Sequence, residues 1–501
     1  MFERCRPGKR TTIVTAARRR LEQSLQAIDP AIALPYWDYS LDFWEQVDSR
    51  DGVATFSNES DLLRLWDSEI WSAKYFGRAD ADTGVIVDGA WARTKVPVIS
   101  ERLLNDSGFS GHFRDHGFAS CYGQDEDVCE APWTAGFREG IVLNPSGATE
   151  PKTGTSERHV GNSFGLLRSP WNMRAEPAVV RSRKSCGRKN DLQFPDCTSF
   201  INQQHDFDTF ENYVVNLQVS PHGAVHVWAG GAFGRCSETY AALHDVVPDA
   251  ALVDAFKISA ANIQKSLWME GLRACPARGA CAGLGQDDCA CHVLEVDAMA
   301  RNASRNVSAS WTWNQVLQIV FSTVHVNHEV NARAYLNALP DAAKLKILKA
   351  VSVDVLTGDM IGSNSPYDIA FFATHASVER LWQRKALAGN MSDMAWPQQD
   401  GRSGAPLCPG QKAGYKLVWF DYALDDDDAV SSDLTNVEWR DMLNPANPAY
   451  ATHIPYVYEN FVWEHCMNYI ALNPDQAGVI DATLMRPDQW VWQNTEDWTA
   501  R

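Results

Sequence analysis

Apolar residues recur at helical spacing in several separate segments of the chain. In residues 11–28, Leu21, Leu25 and Ile28 lie three to four positions apart and Pro30 follows, so the pattern predicts a helix that ends before this proline. The same periodicity predicts helices at about 207–230, 240–270, 311–356 with a break near Pro340, and 366–388.

The segments between these helices have the composition of long loops. Gly, Pro, Asp and Ser are frequent through residues 50–200, where Gly140–Leu143 is a possible short strand. Residues 274–292 are rich in Cys and Gly, and residues 390–415 have the character of a linker. The sequence therefore predicts a mainly α protein in which helices carry the ordered core and long loops separate them.

Charge and composition narrow the class of protein. The chain has 501 residues, with 45 Lys+Arg against 63 Asp+Glu, which gives a formal net charge of −18. This acidic excess argues against a nucleic-acid partner, because such proteins need a basic surface. The sequence has no apolar run of about 18 residues and so predicts no membrane span.

The cysteines indicate the compartment. Twelve are present, most of them in the loop-like segments. Sequons stand at Asn58, Asn105, Asn302, Asn306 and Asn390. Both features favour an oxidising compartment, and hence a secreted or lumenal protein, although the first residues do not form a signal peptide. Cys275, Cys281, Cys289 and Cys291 could form disulfides or bind zinc. We favour disulfides, because the spacing contains no C-x2-C pair.

Two segments combine histidine with apolar and aromatic residues. The first contains PHGAVHVWAGG, in which His222 and His226 lie four positions apart and so share one face of a helix. Pro221 precedes the first histidine, where a helix N-terminus tolerates proline. The second is SPYDIAFFATHASVERLW, which contains His375. Either segment alone is more often a surface or core feature than a metal site.

Taken together, these two segments resemble the second copper-binding half of the tyrosinase, catechol oxidase and haemocyanin group. A third segment, LEQSLQAIDPAIALPYWDYS with PYWD at residues 35–38, is similar to the stretch that directly follows the first copper-binding half in this group. The three segments occur in the order in which the family has them, which makes the resemblance far more specific than any one motif.

The resemblance implies a bundle of four antiparallel helices and two copper ions, each bound by three neutral imidazoles. The implied ligands of the second copper are His222, His226 and His375. Phe371 matches an aromatic residue that packs against this site, and supporting polar positions are matched by Asp38, Glu379 and Arg380. The implied activity is the oxidation of a small phenolic substrate, a phenol or o-diphenol, to a quinone with dioxygen.

The first copper site, as the family builds it, has no counterpart in this sequence. Val14, eight positions before Glu22, stands where the third histidine of that site is expected, and Thr15 stands where an arginine follows. The first histidine of the chain is His112. This chain would then hold the second copper only, with two coppers expected in a full-length form.

Two explanations remain open for this difference. In the first, an upstream segment supplies the missing ligands, residues 1–20 are a mis-assigned start, and the protein is a copper-dependent oxidoreductase. In the second, the chain is a non-catalytic copper-binding, haemocyanin-like or scaffold relative. A zinc hydrolase is disfavoured because no glutamate lies inside an HxxxH pair.

Other histidines lie outside the family's order. His112 and His116, and His325 and His328, are predicted to be surface or loop residues rather than replacement ligands. For the whole chain, 1–501, we predict a single domain. Its core segments are 11–45, 205–234 and 356–390, its insertions are 50–200 and 235–355, and its C-terminal extension is 391–501. The second insertion is predicted to be a disulfide-linked subdomain.

Overall fold

The computed structural model describes part of the chain, in stretches separated by gaps. The described residues are 22, 25–43, 65–98, 161–189, 194–247, 249–269, 273–276, 279–293, 316–317, 320, 338–362, 364–396, 413–414, 435–447, 457–458, 461 and 463–466. Outside them lie Val14, Thr15, Gly140–Leu143, the histidine pairs His112/His116 and His325/His328, and all the sequons except that of Asn390. The described structure is mostly helical with little strand, which confirms the mainly α class.

The helices and strands follow one another along the chain with long irregular connections. The α-helices of the described residues are α1 (Tyr39–Phe43), α2 (Cys197–His205), α3 (Phe210–Val219), α4 (His222–Gly230), α5 (Cys236–Ala241), α6 (Ala250–Met269), α7 (Asp341–Val351), α8 (Ala370–Leu387) and α9 (Asn436–Met442). The strands are β1 (Lys184–Ser185), β2 (Arg188–Lys189), β3 (Ala232–Phe233), β4 (Arg273–Ala274), β5 (His292–Val293) and β6 (Leu356–Thr357). Short 3₁₀ turns cover Leu65–Asp67, Glu69–Trp71, Ala242–Asp245, Gln286–Asp288, Asp359–Ile361 and Ser365–Tyr367.

The single helix predicted over 207–230 is two helices in the structure. Helix α3 begins after Thr209, whose hydroxyl accepts a hydrogen bond from the backbone N–H of Asn212, and it ends before Ser220. Helix α4 begins directly after Pro221. A proline has no N–H to donate to the preceding turn, so it ends α3 and is suited to precede α4.

The other predicted helices are present with shorter bounds. The 240–270 segment contains α6 and, before it, a 3₁₀ turn that follows α5. The 311–356 segment contains α7, which begins directly after Pro340, and the 366–388 segment contains α8. In the 11–28 segment, Glu22, Leu25 and Gln26 are helical and a turn leads to Pro30.

The chain forms two compact units, and the predicted single domain stays a prediction. The first unit consists of Met1–Phe2, Ile70–Leu192 and His226–Asp368, and the second of Glu3–Glu69, Gln193–Val225 and Ile369–Arg501. The division falls inside helix α4, between Val225 and His226.

The first unit has a helical core built by α5, α6 and α7. Its fully buried side chains include Tyr240, Phe256, Ile263, Leu267, Ile347 and Leu348. Beside these helices, a small sheet has the strand order β2–β1–β3–β6, in which β1 and β3 are parallel and the other neighbours are antiparallel. This helical core falls in the predicted 235–355 insertion.

The loops of the first unit are held by buried ion pairs rather than by long strands. Arg168 pairs with Asp359, and Arg181 pairs with Asp368, with all four side chains fully buried. Each arginine also donates to backbone carbonyl groups, so the charges are compensated by hydrogen bonds as well as by each other. These pairs give order to a region whose sequence predicts loops.

The second unit is organised around α8, which packs against α2. The side chain of Gln204 on α2 donates to the carbonyl of Leu381 on α8, at 3.1 Å. In return, the ammonium group of Lys385 on α8 donates to the carbonyl of Gln204, at 2.7 Å. Most residues of α8 are buried, and they include polar and charged side chains such as Glu379, Arg380 and Lys385.

Each unit contains disulfides of its own. The bonded pairs are Cys186–Cys236, Cys275–Cys291 and Cys281–Cys289 in the first unit and Cys197–Cys466 in the second. The cysteines of the 274–292 loop are therefore paired with each other, as the disulfide alternative predicts, and they offer no free thiolate to zinc. Among the described helices, none is long and apolar enough to cross a bilayer.

Candidate metal centre

Helix α4 carries two of the three histidines implied as ligands. His222 is its first residue and His226 follows four positions later, so one helical face presents both imidazoles. The helix ends at Gly230, and Gly231 has a φ of +57°, a conformation that glycine adopts without strain. This glycine therefore lets the chain leave the helix at a tight angle.

The imidazole of His222 faces that of His375 on helix α8. The two Nε2 atoms lie 3.1 Å apart and the ring centroids 4.4 Å apart, with the rings inclined at 66°. His222 is 8% exposed and His375 is 4% exposed. Two nitrogen lone pairs that face each other at this distance repel unless a proton or a cation lies between them.

His375 is held in place by its own helix. Phe371, one turn earlier on α8, packs its ring 4.1 Å from the His375 ring, at an angle of 40°. The hydroxyl of Thr374 donates to the carbonyl of Ala370, which turns this neighbouring polar group back onto the helix. The ring of Phe371 lies beside His375, where the resemblance implies an aromatic residue.

His226 is oriented by a backbone carbonyl. Its Nδ1 atom lies 2.6 Å from the carbonyl oxygen of Met360, which can only accept a hydrogen bond. Nδ1 must therefore carry the proton, and the lone pair of the neutral ring lies on Nε2. Ligand histidines are oriented in this way in metal sites, because the donated N–H fixes both tautomer and ring angle.

The donor set fits a metal ion that prefers imidazole. His222, His226 and His375 form a group of imidazoles that could hold a metal ion, two of them from one helical face and the third in contact with His222. Two nitrogens bound to one metal at about 2.0–2.1 Å and at roughly a right angle are about 3 Å apart, as the Nε2 atoms of His222 and His375 are. Copper is one of the metals that imidazole suits.

The PYWD segment is fastened to helix α8 on both sides of His375. The backbone N–H of Trp37 donates to the carbonyl of Ala373, at 3.1 Å. The hydroxyl of Ser377 donates to the carbonyl of Trp37. Because Ala373 and Ser377 lie two positions before and after His375, this clamp fixes the helical turn from which the imidazole projects.

The predicted supporting residues stabilise the same segment. A guanidinium nitrogen of Arg380 lies 2.9 Å from the carboxylate of Asp38, which also accepts a hydrogen bond from the hydroxyl of Ser40. The carboxylate of Glu379 accepts a hydrogen bond from the hydroxyl of Tyr458, at 3.4 Å. Asp38 and Arg380 thus tie PYWD to α8, and Glu379 ties residues near the C-terminus to it.

Two aromatic rings contact the guanidinium group of Arg380. The guanidinium of Arg380 lies 4.5 Å from the centre of the Tyr36 ring and 4.2 Å from that of Trp463. Trp463 lies three residues before Cys466, whose disulfide to Cys197 anchors the segment to α2. Trp463 therefore contributes directly to the surroundings of α8.

A second group of possible ligand types has a different character. Cys197, His465 and Cys466 lie together, but the two cysteines are bonded to each other and are not thiolates. Nε2 of His465 lies 3.0 Å from the hydroxyl of Ser40, and burial lowers the pKa of this histidine. His205, at the exposed end of α2, lies 3.9 Å from the carboxylate of Asp206. Neither histidine supplies a second trio of imidazoles.

Sequence reasoning did not identify the acceptor for His226. Met360 acts through its main chain, so its side chain gives no signal of this role. A weak signal lies in Gly230, because a Cβ there would come within 2.6 Å of the backbone nitrogen of Ile361. Glycine at this position permits the close approach that brings the Met360 carbonyl to helix α4.

Comparison with known protein families finds a similarity for part of the chain. A family model described as the common central domain of tyrosinase matches residues 19–246, a range that includes PYWD, His222 and His226 and ends before His375. No curated protein and no solved structure matches the chain. Over residues 19–246, the chain is therefore similar to the common central domain of tyrosinase, and this range is slightly less than half of the 501 residues.

Proposed function

We propose that His222, His226 and His375 bind one copper ion and that the protein is a copper-dependent oxidoreductase. Its substrates are phenols or o-diphenols, which dioxygen oxidises to quinones. The observation that carries this proposal is the 3.1 Å approach of the His222 and His375 Nε2 atoms, with His226 one helical turn away on the same face as His222. The tyrosinase family match supports copper as the metal.

Copper, when bound, supplies the redox chemistry that couples dioxygen to the phenolic substrate. The chain's own residues bind and orient. The carbonyl of Met360 accepts a hydrogen bond from the Nδ1–H group of His226, so that Nε2 is presented as a ligand. Phe371 keeps one side of His375 apolar, which limits the access of water to this imidazole.

The experiment loads the purified chain with copper, measures the copper content, and then measures dioxygen uptake and quinone absorbance with catechol as substrate. We expect about one copper per chain in the wild type and its loss in His375→Ala, with His375→Gln as a second variant of more similar size. The control is His205→Ala, since this exposed histidine lies outside the trio. Equal copper content in His375→Ala and the wild type would rule out the proposed site, and catechol turnover in the copper-loaded wild type decides between an oxidoreductase and the second candidate below.

Copper binding without oxidation is the second candidate function. It is favoured by Val14, which occupies the position where the resemblance requires a ligand of the first copper. A single copper has no second metal with which to share dioxygen, so oxidation of the phenolic substrate is lost. Under this alternative, copper binds and depends on His375, but catechol is not oxidised.

The compartment and partners follow from the same proposal. Disulfides in both units are stable in an oxidising compartment, so we assign the protein to the secretory pathway or the outside of the cell. Its partners are then a small phenolic molecule and dioxygen, and its acidic charge disfavours nucleic acid.

A further inference from the structure

We propose that Asp359 is a positioning residue for His226, acting through the carbonyl of the residue that follows it. This inference rests on the proposed copper site. Asp359 does not contact the imidazole through its carboxylate. It holds the 3₁₀ turn Asp359–Ile361, and this turn presents the Met360 carbonyl to Nδ1 of His226 at 2.6 Å.

The carboxylate of Asp359 is the hub of a fully buried hydrogen-bond network. Arg168 donates to both of its oxygens, at 2.8 and 2.9 Å, as a bidentate pair. The backbone N–H of Val180 donates to Oδ2 at 2.7 Å, and the side-chain amide of Asn364 donates to Oδ1. Four donors thus fix one carboxylate, which leaves the attached backbone little freedom.

The backbone on both sides of Asp359 is fixed as well. The N–H of Asp359 donates to the carbonyl of Val180, at 2.8 Å, so Val180 and Asp359 are joined in both directions. The N–H of Gly358 donates to the carbonyl of Gly230, at 2.9 Å. Because Gly230 is the last residue of α4, the turn is joined to the helix of His226 at this point.

The physical consequence is a rigid acceptor for one proton. If the Asp359 carboxylate loses its charge, Arg168 remains buried without its counter-ion and the turn must rearrange. The Met360 carbonyl then moves relative to Nδ1, and the tautomer of His226 is no longer fixed. Loss of such an indirect partner typically weakens metal binding by about 10- to 100-fold.

The test uses two readouts on the full-length chain. Nitrogen-15 NMR of the histidine rings reports the tautomer of His226 in metal-free protein, and copper(II) titration against a competing chelator reports affinity. For Asp359→Asn we expect loss of the fixed Nδ1–H tautomer and about 10- to 100-fold weaker copper binding. Arg168→Lys keeps a positive charge but loses the bidentate geometry, so we expect a smaller change in the same direction.

Asp354→Asn is the matched control. Asp354 pairs with buried Arg273 in the same unit and accepts a hydrogen bond from the N–H of Cys291, so the substitution also removes one carboxylate of an ion pair. It should lower stability without changing the tautomer of His226 or its copper affinity. An equal shift in Asp354→Asn would overturn the inference, because the effect would then be one of general stability.

The remaining outcomes separate the two proposals. If folded Asp359→Asn keeps the wild-type tautomer and affinity, the positioning role is wrong even though copper binds. If Asp359→Asn does not fold, Arg168→Lys decides by the same two readouts. If the wild type binds no copper, the proposed function fails, while the tautomer of His226 still decides whether Asp359 positions it.

Discussion

Nε2 of His222 and Nε2 of His375 lie 3.1 Å apart, although 153 positions of sequence separate the two residues. The pair joins the first turn of α4 to α8, the two helices that carry the implied ligands. No local pattern could reveal this distance, because neither helix contains both histidines. Its consequence is that any cation bound by His222 is also within reach of His375.

We expect the stability of the protein to depend strongly on the Asp38–Arg380 ion pair, which joins PYWD to α8. We expect Asp38→Asn to lower the free energy of unfolding by about 3 kcal/mol, because Arg380 is then left buried without its counter-ion. Asp254→Asn is the control, since it removes a more exposed pair with Lys257 and should cost under about 1 kcal/mol. Urea unfolding measures both, and similar small losses would show that the clamp does not matter.

A methyl group at Gly230 should be poorly tolerated. The Cβ of Gly230→Ala would lie 2.6 Å from the nitrogen and 2.7 Å from Cβ of Ile361, so the Asp359–Ile361 turn must shift. We expect a loss of about 1–3 kcal/mol in unfolding free energy, the usual cost of overpacking. Gly414→Ala has no atom within 4 Å of the added group and serves as the control. A neutral or stabilising Gly230→Ala would contradict this packing.

The disulfides should differ in their contribution to stability. Cys197–Cys466 spans 269 positions and Cys281–Cys289 spans 8. The loop-entropy relation then gives the longer bridge an advantage of about 3 kcal/mol. Paired Cys→Ser variants, compared by chemical unfolding, check the order, and an equal loss from both bridges would contradict it. The Cys→Ser variant of the Cys281–Cys289 pair also tests the zinc alternative, because loss of these two cysteines should leave the metal content of the protein unchanged.

The lowered pKa of Lys385 predicts that the protein becomes more stable as the pH rises above neutrality. Burial lowers the pKa of this ammonium group from 10.5 to about 8, so between these values the unfolded chain binds a proton that the folded chain does not. The free energy of unfolding of the wild type, relative to Lys385→Met, should therefore increase by about 2 kcal/mol from pH 7 to pH 10. Lys257→Met, at a more exposed position, is the control. A difference that does not vary with pH would contradict the shift.

Part of the fold and of the site follows from local sequence. The four-residue spacing of His222 and His226 predicts their common helical face, and Pro340 predicts the start of α7. Pro221 was recognised as compatible with a helix N-terminus, yet one continuous helix was predicted over 207–230, because apolar periodicity runs on through the proline. The partners of Cys197 and Cys466 were not predictable, since pairing depends on how distant segments meet. The Met360 acceptor was missed because a main-chain group has no residue-type signature.

The resemblance supplied what spacing alone could not. Its implied residues Asp38 and Arg380 pair directly, and Phe371 contacts His375. Arg168 and Asp359 lie outside the quoted motifs, and they come together only because loops of the first unit fold around the end of α4. Such a pair is set by tertiary packing of irregular segments, which hydrophobic periodicity does not describe.

Copper content of the purified, copper-loaded chain tests the central claim most directly. Metal analysis should give about one copper per chain in the wild type and in His205→Ala. His222→Ala, His226→Ala and His375→Ala should each lose most of it, while circular dichroism shows that they remain folded. No bound copper in the wild type, or full retention of copper in all three variants, would contradict the account.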